Sequence, residues 1–255
     1  MLSILIPAYN AEKYISAAIA SAAAQMVDGG MEILVCDDGS TDATAAIVRE
    51  KIQHIQGLKL FRLESNQGVC AARNALLGQI DPQAGFVAFL DADDVLVDHA
   101  YQPGLKILRD APDVQMTFGK MRIVPTHDLE LGGSILAQHP VVPGATLSAG
   151  IFRKALIDRV GMFDPSFTQG EDIDYLLRTR EICAEIVTHN DPVMYYRRHD
   201  ANATSNLAAM RSGFLRALML HAKRRKADPR LMTGAGMFRM VEPDILEKAF
   251  NHYGP

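Results

Sequence analysis

Cysteine is scarce in this 255-residue sequence, and Cys36, Cys70 and Cys183 lie far apart with no C-x-x-C pairing. That spacing offers neither a zinc site nor a disulfide framework, so the thiols read as buried groups in a reducing compartment. A basic excess is also absent. The 26 basic residues face 30 acidic ones, a formal charge of −4, which gives no general field for a polyanion and argues against a nucleic-acid partner. No apolar run reaches the roughly 20 residues that span a bilayer; Ile15 to Val27 comes nearest and is rich in Ala and Ser. The chain opens on SILIPAYN with no basic segment followed by an apolar one, which argues against a signal peptide and for a cytoplasmic location. Finally, no G-x-G-x-x-G follows a predicted strand, and PAYNAEKY contains no glycine. A dinucleotide fingerprint is thereby excluded.

What is present is an ordinary globular composition, 48% hydrophobic and 22% charged, enough for one large domain with its own core. Short apolar runs alternate with helical patterns: SILIP, then 11–25; EILVC, then 41–52; LKLFRL, then 69–77; FVAFL, then 99–109. Such alternation predicts an α/β fold with a parallel sheet covered on both faces. Beyond residue 110 the pattern changes to β-like QMTFGKMRIV and a Gly/Pro-bearing stretch, LGGSILAQHPVVPGAT, expected as a loop beside the site. Helices are expected over 153–160, 171–181, 205–226 and 243–253, with a strand in PVMYYRRH.

Ligands in open α/β sheets bind beyond the carboxyl ends of the strands, and the polar clusters PAYN, DDGSTD and DADD fall at those ends. In DDGSTD, Gly39 permits a tight turn and Ser40, Thr41 or Asp42 can cap the next helix. One cap needs one acceptor, so the pair Asp37 and Asp38 leaves a carboxylate free for a nucleobase or ribose. Arg73 follows Gly68 by about a helical turn; it is either a surface residue of an amphipathic helix or a guanidinium aimed at a phosphate. Glu171, Asp172 and Asp174 suit the positive end of a helix dipole without further purpose. The crowded Asp91, Asp93 and Asp94 repel one another unless they fan into water or hold a cation.

As an ordered set, PAYN, DDGSTD at 37–42, NQGVCAARN at 66–74, FLDADD at 89–94 and GEDIDYLLR at 170–178 resemble the family 2 glycosyltransferases of the GT-A fold. The motifs cover about residues 1–200, and AGIFRKALIDRVGMFDPSFTQGED is similar to that family's acceptor-side segment. The resemblance implies a GT-A domain over 1–205, mainly parallel in its nucleotide-binding sheet, and a C-terminal helical extension over 206–255. It implies that Asp91 and Asp93 hold Mn²⁺ or Mg²⁺ and the donor, with His199 as a further metal or diphosphate contact. Pro7, Tyr9, Asn10, Asp38 and Arg73 match donor-site positions, Asp38 as reader of the base. Asp172 matches the catalytic base of an inverting transfer from a nucleotide sugar, UDP-linked, to a hydroxyl of a glycan or lipid-linked glycan, in bacterial-type cell-surface synthesis.

Processive synthases that resemble the family carry a Trp in Q-x-x-R-W and several membrane spans. This sequence has no Trp, so transfer of one or a few sugars is expected. The alternatives are a GT-A module that binds nucleotide sugars without transfer, and a nucleotidyltransferase of related architecture. Phe214, Leu215, Leu218 and Met219, followed by KRRK, suit packing against the domain, a second subunit in a homo-oligomer, or peripheral contact with the inner face of a membrane.

Overall fold

The computed structural model describes residues 1–232 except 145, 184, 201 and 203–205; the helix expected over 243–253 lies outside the described residues. The chain runs β1 (Leu2–Ala8), α1 (Ile15–Ala23), β2 (Met31–Asp37), α2 (Thr44–Ile52), β3 (Leu58–Arg62), α3 (Val69–Leu77), β4 (Phe86–Phe89), β5 (Val95–Leu96) and α4 (Gln102–Asp110). Then follow β6 (Met116–Pro125), α5 (Thr126–Leu131), β7 (Val141–Pro143), β8 (Gly150–Arg153), α6 (Lys154–Val160), α7 (Glu171–Ile182), β9 (Ile186–Arg198) and α8 (Leu207–Ala227).

The sheet has the order β3-β2-β1-β4-β8-β6-β9-β5, with β7 beside β6. Strands β3, β2, β1 and β4 run parallel, as the alternating pattern predicts. β8 is antiparallel to β4 and β6, while β6 and β9 are parallel to each other. Ile4 and Ile6 of β1 enter one core and Leu5 enters the other, so both faces of the strand are covered and every position is apolar or small. On one face α1 inserts Ile15, Ala18, Ile19 and Ala22. On the other, Phe163 stacks on Tyr175 at 3.9 Å, with Phe89 edge-on to both.

Two expectations change. The stretch read as a loop holds a 3₁₀ turn over Gly133–Gln138 and the strand β7, whose Val141 and Val142 pair with Arg122 and Met121 of β6; the β-branched pair extends the sheet. The strand read from PVMYYRRH begins earlier, at Ile186, because the preceding residues pair with Met116, Thr117 and Phe118 of β6. All three cysteines are buried. Among the described residues no helix is long and apolar enough to cross a membrane.

Candidate active site

Because β1, β2 and β4 are parallel, Ala8, Asp37 and the run after Phe89 emerge on one side of the sheet. The first two loops are stapled together. The backbone N–H of Asn10 donates to Ser40 Oγ at 2.9 Å, and Asn10 Oδ1 accepts from the Thr41 N–H at 2.9 Å. Asp42 accepts from the Glu12 N–H at 3.0 Å, while Glu12 accepts from the Ala43 N–H at 2.9 Å. Asn10 adopts a left-handed φ of 48°, a conformation asparagine tolerates better than most residues. Tyr9 is 48% exposed beside it, whereas Pro7 is inside β1.

The adjacent aspartates have separate partners. Asp37 accepts from the Ser40 N–H at 3.0 Å and pairs with Arg62 at 3.1 Å. Asp38 is buried, and its two oxygens accept the N–H groups of Gln67 and Gly68, each at 2.8 Å. It thereby fixes the turn into α3, where Gly68 sits at φ 91°. Burial pushes its pKa up, against the pull of both amides. Two lone-pair directions of the carboxylate remain.

The acidic run after β4 also divides. Arg73, nearly buried on α3, donates to Asp91 at 2.9 Å and to Glu171 at 2.8 Å. Its guanidinium lies 5.4 Å from the centre of the Phe163 ring. Asp93 meets His199 Nε2 at 3.0 Å and lies 3.4 Å from the Asn202 amide nitrogen. Asp94 turns inward and accepts the Arg197 N–H at 2.9 Å, so it anchors β9 rather than fanning into water. His199 stacks on Tyr14 with centroids 4.6 Å apart, and the Arg197 guanidinium lies 4.9 Å from the same tyrosine ring.

At the start of α7, Gly170 is left-handed, with φ 80°. Glu171 is tied to Arg73 and Asp174 is buried against Arg178 and Arg224. Asp172 lies between them, half-buried, its Oδ1 accepting the Ile173 N–H at 2.8 Å. Burial, then the neighbouring Glu171 charge, push its pKa up to about 6, with Arg73 opposing. A carboxylate so poised is mostly ionised at neutral pH and more basic than an ordinary aspartate.

Thus Asp91, Arg73 and α7 are joined by ion pairs, and Asp93 and His199 by a hydrogen bond, whereas Tyr9 and Asn10 stand at the rim. Sequence reasoning missed the parts of Tyr14, Arg197 and Asn202. Asn202 holds the His199 N–H at 2.6 Å and donates to Arg197 O at 3.0 Å; its only signal was the turn-forming composition of HDANATS. Among the described residues, no three His, Cys, Asp or Glu side chains already form a metal-type cluster. The donor set itself, the carboxylates of Asp91 and Asp93 with His199 Nε2 turned toward Asp93, offers the oxygen ligands that suit Mn²⁺ or Mg²⁺.

Residues 3–130 match glycosyl transferase family 2. The chain belongs to that family. Over 212 residues it is 26% identical to the UDP-Glc:alpha-D-GlcNAc-diphosphoundecaprenol beta-1,3-glucosyltransferase WfaP of Escherichia coli, covering 81% of this chain and 80% of that one. The structure is similar to that of Staphylococcus aureus TarS 1-349 in complex with UDP-GlcNAc, with TM-score 0.69 and 23% identity, covering 98% of this chain and 73% of the other. It is also similar to the mannosyltransferase PcManGT from Pyrobaculum calidifontis in complex with GDP-Man and Mn²⁺, with TM-score 0.63 and 19% identity, over 99% and 70% of the two chains. These likenesses establish the GT-A fold. The matches with the first curated relatives span less than half of their length.

Proposed function

We propose that this family 2 protein transfers a sugar from a nucleoside-diphosphate donor to a hydroxyl acceptor, with inversion at the anomeric carbon. The observation that carries the reading is the bridge Asp91–Arg73–Glu171, which ties the acidic strand end to the helical turn bearing Asp172. A donor held at the strand ends is thereby placed next to a carboxylate of raised basicity.

Asp172 takes the proton of the acceptor hydroxyl as its oxygen attacks the anomeric carbon from the face opposite the diphosphate. Asp38, Tyr9 and Asn10 hold the base and ribose, and the stapled loops keep them rigid. Asp91, Asp93 and His199 would hold Mn²⁺ or Mg²⁺, which as a Lewis acid stabilises the charge of the departing diphosphate without a proton. A glycosidase needs a second carboxylate to protonate its leaving alkoxide; a diphosphate leaving group does not.

The names UDP-Glc and UDP-GlcNAc attached to the relatives favour a UDP-linked donor. The diphosphoundecaprenol acceptor named for WfaP favours a lipid-linked glycan. The test is sugar transfer from labelled UDP-sugars to a lipid-diphosphate glycan, with and without Mn²⁺. Transfer abolished by EDTA and by Asp93→Ala supports the reading. Full turnover in EDTA removes the cation from it, and nucleotide binding without transfer under any condition leaves a binding module.

A further inference from the structure

We propose that Gly213 of α8 is a positioning residue for Asp172, because it lets α8 close directly onto the Gln169–Gly170 turn from which α7 starts. This rests on Asp172 acting as the base. A Cβ at Gly213 would lie 2.2 Å from Gln169 O, 2.6 Å from Gln169 C and 3.1 Å from Gly170 N. All three are backbone atoms, so no side chain can swing aside to make room. The contact is reciprocal: a Cβ on Gly170 would lie 2.7 Å from Gly213 C and 2.9 Å from Gly213 O.

Glycine is a poor choice in a helix interior, and the backbone at Gly213 is not left-handed, so conformation does not call for it. The close approach does. Farther along the helix, two arginines grip the segments on either side of that turn. Arg216 donates to Ser166 O and Oγ, each at 2.6 Å, before the turn, and Arg224 reaches Asp174 at 2.9 Å after it. The first helical bond of α7, Asp174 N–H to Gly170 O at 3.1 Å, spans Asp172. A methyl group at 213 must therefore push the helix or the turn, and the turn carries the base.

The experiment measures transfer and donor KM in Gly213→Ala beside Ala222→Gly, which weakens the same helix at an exposed position. We expect kcat of Gly213→Ala to fall by roughly tenfold or more, since small displacements at a reacting centre are costly, with donor KM nearly unchanged. Amide exchange at Asp174 should quicken, and Ala222→Gly should keep the parental kcat. If Gly213→Ala does not fold, Ala217→Val, which lifts α8 about one turn later, replaces it in the same comparison. Parental turnover in the folded variant, or an equal loss in Ala222→Gly, overturns the proposal. A parent chain without any transfer overturns the glycosyl-transfer reading instead; unchanged Asp174 exchange in the variant would then overturn the positioning role by itself.

Discussion

Asp172 and Asp174 are two residues apart and face opposite surroundings. Asp174 is buried between two guanidinium groups, whereas around Asp172 burial and the repulsion of Glu171 outweigh the pull of Arg73 and of the Ile173 amide. Folding therefore favours the protonated form of Asp172. The sign follows: its folded pKa lies above the ordinary 3.8, at about 6, so its stabilising contribution is full below pH 3.8 and is lost as pH rises through 6. Asp172→Asn keeps the Ile173 bond and removes the charge, and should raise neutral-pH stability by about 1–3 kcal/mol. The same change should lower kcat by roughly 10²- to 10⁴-fold. Transfer by the parent should decline below pH 6, where the base is protonated. A melting temperature that falls in the variant, or a rate flat through pH 6, would place the base elsewhere. The three acids were visible in GEDIDYLLR, but not their division. That depends on Arg73 and Arg224, which stand far away in sequence and meet the helix only in the folded chain.

At the scale of elements, α3 is started by a residue that belongs to the loop after β2. Asp38 accepts two amides at the entry to α3, so it has a structural task whether or not a nucleotide is bound. Asp38→Asn leaves one acceptor and turns an NH₂ group toward a donor, which should cost about 1–3 kcal/mol of stability without ligand. If Asp38 also reads the base, UDP affinity measured well below the melting temperature should fall by roughly tenfold or more. Lost stability with unchanged UDP affinity would leave only the structural task. The alternation of strands and helices was legible here because each parallel strand is covered on both faces; the run from Val69 to Leu77 matches α3 as observed. The second half was less legible. β6, β8 and β9 exchange direction, and their pairing is set by contacts between distant strands rather than by any local period. The strand-end clusters were readable as a group, but the contact of His199 and Asn202 with Asp93 required β9 to return beside β5.

For the molecule as a whole, the question is how α8 belongs to the rest. Of its apolar residues, Gly213 and Ala217 are buried and Phe214 and Leu218 half-buried, while Leu207, Leu215 and Met219 remain exposed. Packing against the domain, the first of the three readings of this stripe, therefore uses part of it. Small residues alone would hold the helix weakly, and charge supplies the rest. Arg224 meets both oxygens of Glu181 at 2.9 Å and Asp174 at 2.9 Å, and His221 meets Glu181 at 2.7 Å. Both carboxylates are almost fully buried, whereas the Arg224 side chain is 28% exposed. Removing the arginine is then worse than losing a surface pair, because it strands charge in a poorly solvated seam. Arg224→Met should cost about 3 kcal/mol, read from denaturant unfolding at constant slope. A double-mutant cycle with Glu181→Gln separates the pair from general loss of packing, and should return a coupling of about 1 kcal/mol or more. If α8 were an appendage resting on a finished domain, Arg224→Met would change stability by no more than about 0.5 kcal/mol, and the cycle would show no coupling. The larger result would make α8 part of the cooperative unit that holds the start of α7, and so of the machinery around Asp172.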